Sequence, residues 1–231
     1  MLLALDTATA TASIAIYDLA EQHLLAELTW QARRRQTQDL LTIVQQWLAQ
    51  LDLTPQQLTA LAVTTGPGSF TGVRIAISAV KGIGLGLPVV PQIIGLPTLC
   101  VTAAPWLLLA QRSTPTPTLC AFIQAGRGRY NWTFFSAGDL LHRPTAADHN
   151  GGTVDEFVQA LAVPAPQSIW LAGELDMPLA NAVQPLSHVF VIDAVSSERR
   201  AGQLARLAAL QLASGAQDDL QTLQPLYLRN P

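Results

Sequence analysis

Charged residues are scarce in this sequence. They make up 13% of its 231 residues, against roughly 25% in an ordinary soluble domain, while apolar residues reach 49%. A surface with so little charge predicts that part of it contacts a partner. The formal net charge of −3 provides no long-range attraction to a polyanion, although Arg33, Arg34 and Arg35 form a local basic cluster. We therefore expect the chain alone to bind nucleic acid poorly.

Cysteine and clustered histidine are also scarce. The two cysteines, Cys100 and Cys120, show neither a disulfide framework nor the paired spacing of metal ligands, which fits a reducing, cytoplasmic compartment. No two histidines lie three or four positions apart, so a helical pair of metal-binding histidines is excluded; they stand at His23, His142, His149 and His188.

Long uninterrupted apolar runs are missing as well. The apolar start Met1–Leu5 is followed at once by Asp6 and has no basic residue ahead of it, unlike an export signal. The uncharged stretch 82–111 is cut into short pieces by four prolines, whereas a membrane-spanning helix needs about 20 mostly continuous apolar residues. We expect no membrane segment.

A glycine-rich turn is the strongest positive feature. The segment 66–72, GPGSFTG, follows the apolar run 61–63 and opens a segment with helical spacing, which predicts strand, tight loop and helix. Small side chains then recur on one helical face, at Gly72, Ala76, Ala79, Gly82 and Gly86. Because glycine weakens a helix, this face needs close packing, either against the protein's own sheet or against a helix of another chain.

The first half of the chain predicts an α/β lobe. Three strands in a meander are expected at 2–6, 13–18 and 24–30, followed by an amphipathic helix at 36–51 that includes Leu40, Val44 and Trp47. After a strand at 60–64 and the small-residue helix, we expect a buried strand at 89–94 and a broken helix at 96–110.

A second lobe is expected after the linker 112–118, RSTPTPT, whose prolines end the preceding element. The lobes would comprise 1–111 and 118–231. Strands at 119–124 and 130–136 and a third short strand after the turn at 137–139 would repeat the initial meander. The last helix, expected at 197–214 with a serine cap, is placed in the second lobe and could pack back on the first.

Several of these features together resemble the TsaB (YeaZ) family. They are the Asp6-Thr7 turn, the GPGSFTG loop followed by Val-Arg-Ile, the pair Lys81-Gly82, and the closing segment 225–229. The resemblance implies a two-lobed actin-like, Hsp70 and sugar-kinase (ribonuclease H-like) fold with mixed sheets flanked by helices. It also implies a role in forming N6-threonylcarbamoyladenosine at position 37 of tRNA.

The same resemblance implies a non-catalytic subunit with several partners. A TsaD-like subunit would carry the metal and the catalytic site, a TsaE-like ATPase and a TsaC-like synthase would assist, and tRNA would be met only through the complex. The first two helices would contact the TsaD-like subunit, or a second copy when the chain is alone. The interface residues would be Leu40, Val44, Trp47, Gly72, Ala76, Ala79, Gly82 and Gly86.

The residues themselves argue against an independent ATPase. An actin-like ATPase needs a phosphate-binding turn from each lobe and carboxylates for Mg²⁺, but Asp6 is not followed by glycine and the turn at 124–128 has no carboxylate. By the same resemblance, Gln36 stands where many TsaB proteins have histidine. The glycine-rich loop is not a Walker loop, because the nearest following lysine, Lys81, lies well beyond the end of the loop. We expect no tightly bound cofactor, with ATP and Mg²⁺ held only by the partner or at a composite site.

Two enzymatic alternatives remain. One is an ATP-dependent phosphotransferase of the same fold; the other is a peptidase with Ser69 as nucleophile, although Ser69 lacks the G-x-S-x-G context. An anion or nucleotide could instead contact the glycine-rich loop and the second-lobe turn, through Asp6, Thr7, Ser69 and Arg127. Alternatively, neither feature binds a ligand: the loop is then only a tight turn, and Asp6 is only a hydrogen-bonding residue at the end of a strand.

Overall fold

The computed structural model describes residues 1–32, 35–163 and 168–228. The chain forms two compact units. The first contains Met1–Val101 and Arg200–Leu226, and the second contains Thr102–Arg199 with the described residues from Tyr227 onward. This division differs from the predicted lobes, because the first unit ends inside a helix ahead of the linker and the last helix belongs to the first unit.

The first unit is built on a five-stranded mixed sheet. Its central strand β1 pairs antiparallel with β2, which pairs antiparallel with β3, so the predicted meander is confirmed. On its other side β1 pairs parallel with β4, and β4 with β5. The strands are β1 (Leu2–Asp6), β2 (Thr11–Asp18), β3 (His23–Gln31), β4 (Ala60–Gly66) and β5 (Gln92–Pro97), in the order β3-β2-β1-β4-β5.

Helices cover both faces of this sheet. On one face α1 (Gln36–Gln50) and α2 (Phe70–Gly86) share a hydrophobic core with alternate strand residues such as Ile14. On the opposite face, that of Ser13, lies α6 (Ala201–Ala213). The spacing of the buried residues of α1, at four-residue intervals, explains why this segment is a helix with one face inward.

The last helix begins later than the sequence predicts. We expected it over 197–214 with a serine cap, but α6 begins at Ala201 and the side chain of Arg200, at the N-cap position, makes no capping bond. The sheet supplies the caps instead: Ser13 Oγ accepts from the Ala201 amide at 2.9 Å, and Glu27 Oε1 accepts from the Gly202 amide at 2.6 Å. These bonds hold the helix on the first sheet.

Two further predictions in the first half need correction. The strand expected at 89–94 is β5, which begins only at Gln92, because the prolines at 88 and 91 cannot donate ladder hydrogen bonds. As a result Val89 and Val90 are exposed. The helix expected to be broken is the single helix α3 (Thr98–Gln111), which contains Pro105 in its interior. No helix in the described ranges is both long and apolar enough to cross a membrane.

The second unit repeats the topology of the first. Its sheet has the order β10-β9-β6-β7-β8, with an antiparallel meander β6-β7-β8 and parallel neighbours β9 and β10. The predicted repeat is therefore confirmed. The elements are β6 (Thr118–Gly126), β7 (Arg129–Phe135), β8 (Asn150–Thr153), α4 (Val154–Ala162), β9 (Ile169–Gly173), α5 (Met177–Val183) and β10 (Val189–Val191).

The third strand of this repeat is displaced from its predicted place. We expected it directly after the turn at 137–139, but β8 follows a longer loop. The side chain of Asp139 accepts a hydrogen bond from the His142 amide at 3.1 Å, which continues the turn, and Pro144 follows. The chain therefore becomes extended again only at Asn150.

Candidate functional site

The turn after β1 is held together by a buried carboxylate. Asp6 is 1% exposed, and its Oδ1 accepts hydrogen bonds from the Ala8 amide and from Thr64 Oγ1, each at 2.8 Å. These bonds join β1 to the neighbouring strand β4. The carboxylate therefore has the structural role of a hydrogen-bonding residue at a strand end.

The glycine-rich loop is anchored on this turn. Thr7 Oγ1 donates a 2.6 Å hydrogen bond to the carbonyl oxygen of Gly72, and the Ser69 amide donates a 2.6 Å bond to the carbonyl oxygen of Ala8. Ser69 is the N-cap of α2, and its Oγ accepts from the Gly72 amide at 3.2 Å. Thr7 and Ser69, two of the predicted anion contacts, thus form hydrogen bonds that hold the loop and the start of α2 in place.

Two positions of the loop require glycine, because the loop backbone lies very close to the backbone of the turn after β1. A Cβ atom on Gly68 would overlap the carbonyl oxygen of Ala8, and one on Gly72 would overlap that of Thr7. The absence of side chains at these positions lets the loop lie directly on the β1–β2 turn. The motif is accounted for by packing within the first unit.

Arg127 belongs to the second unit, so these four predicted contact residues are not collected in one unit. It lies in the hairpin between β6 and β7, where Arg127 (φ 54°) and Gly128 (φ 70°) both have positive φ angles. This pattern is that of a type I′ turn, which suits the twist of a two-residue hairpin. The Arg127 side chain is exposed.

A groove lies between α1 and α2, which we call the α1–α2 groove. Its larger section, of about 510 Å³, includes Gln36, Thr37, Phe70, Thr71 and Arg74. A second section, of about 360 Å³, lies toward the end of α2 and is lined mainly by apolar or small residues, which include Val44, Leu48, Gly82, Ile83 and Gly86. Leu41, Ser78 and Ala79 line both sections, so the groove is continuous along the two helices.

The predicted small-residue face of α2 is divided between the core and this groove. Gly72 and Ala76 are buried within the first unit and do not line the groove, which corrects their assignment to a partner interface. Ala79, Gly82 and Gly86 do line it, and a Cβ on either glycine would meet nothing within 4 Å. At about 100° per residue, Gly82 lies about 80° around the helix from Gly72, so one row of small residues faces two environments.

The predicted residues of α1 also differ in their placement. Leu40 and Val44 line the groove but are 1% and 4% exposed, so they form its floor rather than its rim. Trp47 is half-buried against the core cluster and is not among the lining residues. Gln36 lies at the start of α1 in the larger section.

The basic cluster is only partly within the described residues. Arg33 and Arg34 lie outside the residues that the structure describes. Arg35 is exposed and forms an ion pair with Asp39 at 3.4 Å. Within the described ranges no three His, Cys, Asp or Glu side chains are grouped as metal ligands.

The sequence prediction missed two prominent groove residues. Phe70 is 62% exposed at the start of α2, and the guanidinium carbon of Arg74 lies 3.5 Å from the centroid of its ring. Their four-residue spacing puts them on one helical face, which was the available signal. Gly84 was also missed: it is buried, and a Cβ there would crowd the side chain of Leu220.

Comparison with known sequences identifies the family of this chain. A family model described as TsaD, tRNA N6-adenosine threonylcarbamoyltransferase, matches residues 30–221. The tRNA threonylcarbamoyladenosine biosynthesis protein TsaB of Escherichia coli is 35% identical over 232 residues, covering 99% of this chain and 94% of that protein. The TsaB of Haemophilus influenzae is 41% identical over a shorter stretch of 92 residues, which is 39% of this chain and 38% of the relative.

Solved structures agree with this result. A Pseudomonas aeruginosa structure, described as an uncharacterized protein with similarity to peptidase YEAZ, has a TM-score of 0.74 and 26% identity and covers 99% of both chains. The inorganic polyphosphate/ATP-glucomannokinase of an Arthrobacter species has a TM-score of 0.51 and 12% identity, covering 93% of this chain and 99% of that one. The latter likeness concerns the fold alone, and with the two mixed sheets it confirms the predicted actin-like and sugar-kinase class.

The glycine-rich loop, the repeated mixed sheets, the family model and a full-length relative all agree. The chain therefore belongs to the family that the TsaD model describes and, within it, to the TsaB (YeaZ) proteins of tRNA threonylcarbamoyladenosine biosynthesis.

Proposed function

We propose that the chain is a non-catalytic subunit of tRNA threonylcarbamoyladenosine biosynthesis that binds a TsaD-like catalytic subunit through the α1–α2 groove. The observation that carries this proposal is the groove itself, which is open and almost uncharged on a chain of low overall charge. The small residues at Ala79, Gly82 and Gly86 would let a partner helix approach closely. Apolar surface of this kind is characteristic of a protein contact.

The internal bonding of the glycine-rich loop supports the non-catalytic part of the proposal. A phosphotransferase would need polar groups of this loop directed at a phosphate, but Thr7 Oγ1 donates to Gly72 and Ser69 Oγ caps the first turn of α2. A peptidase would need Ser69 Oγ as an activated nucleophile, whereas it accepts a backbone hydrogen bond. These bonds give both hydroxyl groups a structural role within the loop.

The remaining components of the proposal concern the assembly. ATP and Mg²⁺ would be held by the TsaD-like subunit or at a composite site, a TsaE-like ATPase would join the complex, and tRNA would be contacted only within it. Alone in the cytoplasm, the chain would use the same groove to form a homodimer. Arg35, and with it the rest of the basic cluster, would contribute to tRNA contact only in the assembled complex.

The decisive experiment blocks the groove without unfolding the chain. Ala79 faces the groove, so Ala79→Trp would fill it with an indole ring, and we expect this variant to fold yet fail to co-elute with the TsaD-like subunit in size-exclusion chromatography, with or without ATP. Ala49→Trp is the matched control, because Ala49 is exposed on α1 and does not line the groove. The control should co-elute like the parent chain.

Two results would contradict the proposal. Undiminished co-elution of Ala79→Trp would remove the groove as the binding surface. ATP hydrolysis above background by the purified chain, lost in Asp6→Asn with the circular dichroism spectrum unchanged, would instead indicate an independent ATPase. In an assay with the mixed subunits and tRNA, threonylcarbamoyladenosine should form with the variants that co-elute with the TsaD-like subunit and should not form with those that do not.

A further inference from the structure

We infer that the segment 216–226, which we call the strap, holds the second half of α2 in the position that the partner binds, and that Lys81 fixes the strap to this helix. The inference rests on the proposed function, which assigns the α1–α2 groove to a TsaD-like subunit. Neither the strap nor Lys81 lines the groove. Both are therefore positioning elements, which act on the partner through α2.

The strap follows α6 and is bonded to the first sheet near both of its ends. The Asp218 amide donates to the carbonyl oxygen of Ile93 at 2.8 Å, and Asp218 Oδ2 accepts from the Gly95 amide at 2.7 Å. Farther along, the Leu226 amide donates to the carbonyl oxygen of Thr65 at 2.7 Å. The strap thus begins on the edge strand β5 and returns to the end of β4.

Between these attachments the strap packs on α2. Leu220 and Leu223 are buried in the same core cluster as Val80 of this helix. A Cβ atom on Gly84 would lie 2.9 Å from Leu220 Cδ2, so the missing side chain at position 84 gives the leucine its place against the helix. The glycine that sequence reasoning missed is therefore part of this contact.

Lys81 holds the strap from the side of the helix. It is the only lysine in the sequence, and its Nζ donates to the carbonyl oxygen of Gln221 at 3.0 Å. Asp219 Oδ1 accepts from the amides of Gln221 and Thr222 at 2.7 and 2.9 Å, which fixes the turn that carries this carbonyl. Hydrogen bonds from Thr222 and Gln221, together with the positive charge of Lys81, lower the pKa of the Asp219 carboxyl group. The ammonium group and the turn therefore attract each other.

The strap and the groove lie on opposite sides of α2. At about 100° per residue, Gly84 is turned about 160° from Gly82 and from Gly86, which line the groove, whereas Lys81 is only about 60° from Gly84. Because the interior of a protein is closely packed, the strap behind α2 determines how far this half of the helix stands from α1. That distance sets the width of the groove. Lys81 and Gly82, adjacent in the sequence, thus serve the two sides of one helix.

The first test removes the leucine that lies against Gly84. Leu220→Ala should raise the dissociation constant for the purified TsaD-like subunit about 10-fold in isothermal titration calorimetry, because it lets α2 shift. Leu161→Ala is the matched control: Leu161 is a buried leucine in the core of the second unit, and its loss should change the constant by less than about twofold. Gly84→Ala added to Leu220→Ala places a methyl group in the vacated space and should return the constant to within about threefold of the parent value.

A second test separates the strap from charge attraction to the partner. Lys81→Met removes a positive charge and Asp219→Ala removes a negative one, so their effects on long-range attraction have opposite signs. We expect both variants to raise the dissociation constant, by about threefold to tenfold, because each loosens the strap. Lys81→Arg keeps a donor and the charge and should bind like the parent chain.

The outcomes distinguish this inference from the proposed function. If Leu220→Ala and Lys81→Met bind like the parent chain while Ala79→Trp abolishes binding, the groove is the interface but the strap does not position it. Equal weakening by Leu220→Ala and Leu161→Ala would trace the effect to lost stability and overturn the inference. Opposite effects of Lys81→Met and Asp219→Ala would trace it to charge, with the same consequence. Normal binding by Ala79→Trp contradicts the proposed function, and the inference with it.

Discussion

Thr7 and Gly72 are joined by a 2.6 Å hydrogen bond from the threonine Oγ1 to the glycine carbonyl oxygen, across 65 positions of sequence. The bond connects the turn after β1 to the first turn of α2. Because α2 forms one wall of the α1–α2 groove, the same contact that seats the glycine-rich loop also fixes the helix that a partner would meet. The most recognisable motif of the chain therefore acts on the groove indirectly, by positioning α2.

Thr7→Val tests the energetic value of this bond. Valine keeps the shape of threonine, but the buried carbonyl oxygen of Gly72 loses the hydrogen bond from this side chain, and we expect the free energy of unfolding to fall by about 0.5–1.5 kcal/mol. Thr42→Val is the matched control, because Thr42 Oγ1 also donates to a backbone carbonyl, that of Gln38, but on an exposed part of α1. Urea unfolding should show a much smaller loss for the control; equal losses would mean that burial does not govern the effect.

Two glycines of α2 should respond in opposite directions to the same substitution. Gly72→Ala places a methyl group against the carbonyl oxygen of Thr7 and should destabilise the chain by about 1–3 kcal/mol. Gly82→Ala meets nothing within 4 Å and should stabilise the helix by about 0.5–1 kcal/mol. Thermal unfolding of both variants checks the signs.

The second of these variants also reports on the groove. If a partner helix approaches closely at Gly82, the alanine variant should be more stable alone but should bind the TsaD-like subunit more weakly than the parent chain. A variant that gains stability and keeps full binding would show that the partner leaves room at this position.

Local patterns made much of this fold predictable. The alternation of apolar residues, the glycine-rich turn and the proline-rich linker gave the first strand meander, the strands β6 and β7 and the helix at 36–50 close to their observed bounds. The glycine-rich loop also identified the family. Each of these signals depends on neighbours a few positions apart, which is the information that a single sequence contains.

Features set by distant contacts were not predictable in the same way. The start of α6 is fixed by Ser13 and Glu27, which lie at least 175 positions earlier in the chain. The division of the small-residue face depends on how α2 is rotated against its sheet, so Gly72 and Gly82 looked equivalent in the sequence. Arg74 was noticed only as part of a motif, because its stacking on Phe70 appears only in the folded helix.

Glu27 should stabilise the first unit as a remote cap of α6. Its carboxylate accepts a hydrogen bond from the Gly202 amide at 2.6 Å. Gly202 lies in the first turn of α6, where backbone amides have no partner within the helix and the helix dipole places a partial positive charge. We expect Glu27→Ala to lower the free energy of unfolding by about 1 kcal/mol and Glu27→Gln to lower it less. Glu21→Ala, at an exposed position in the turn between β2 and β3, should change it by less than about 0.5 kcal/mol. Equal losses in urea unfolding for Glu27→Ala and Glu21→Ala would contradict the capping role.

The second unit should lose stability in acid through Glu156. This residue is at the third position of α4, and hydrogen bonds from the backbone and side chain of Thr153 lower the pKa of its carboxyl group below the usual 4.5. A lowered pKa in the folded state contributes stability that is present above the unfolded value, and the contribution is lost as the pH falls through the folded value. Glu156→Gln keeps an acceptor for Thr153 but cannot titrate, so its melting temperature should fall less steeply than that of the parent chain below about pH 4.5. Glu156→Ala should show the same flattening with a lower melting temperature at neutral pH. Circular dichroism melts over this range would contradict the assignment if the glutamine variant kept the full acid dependence of the parent.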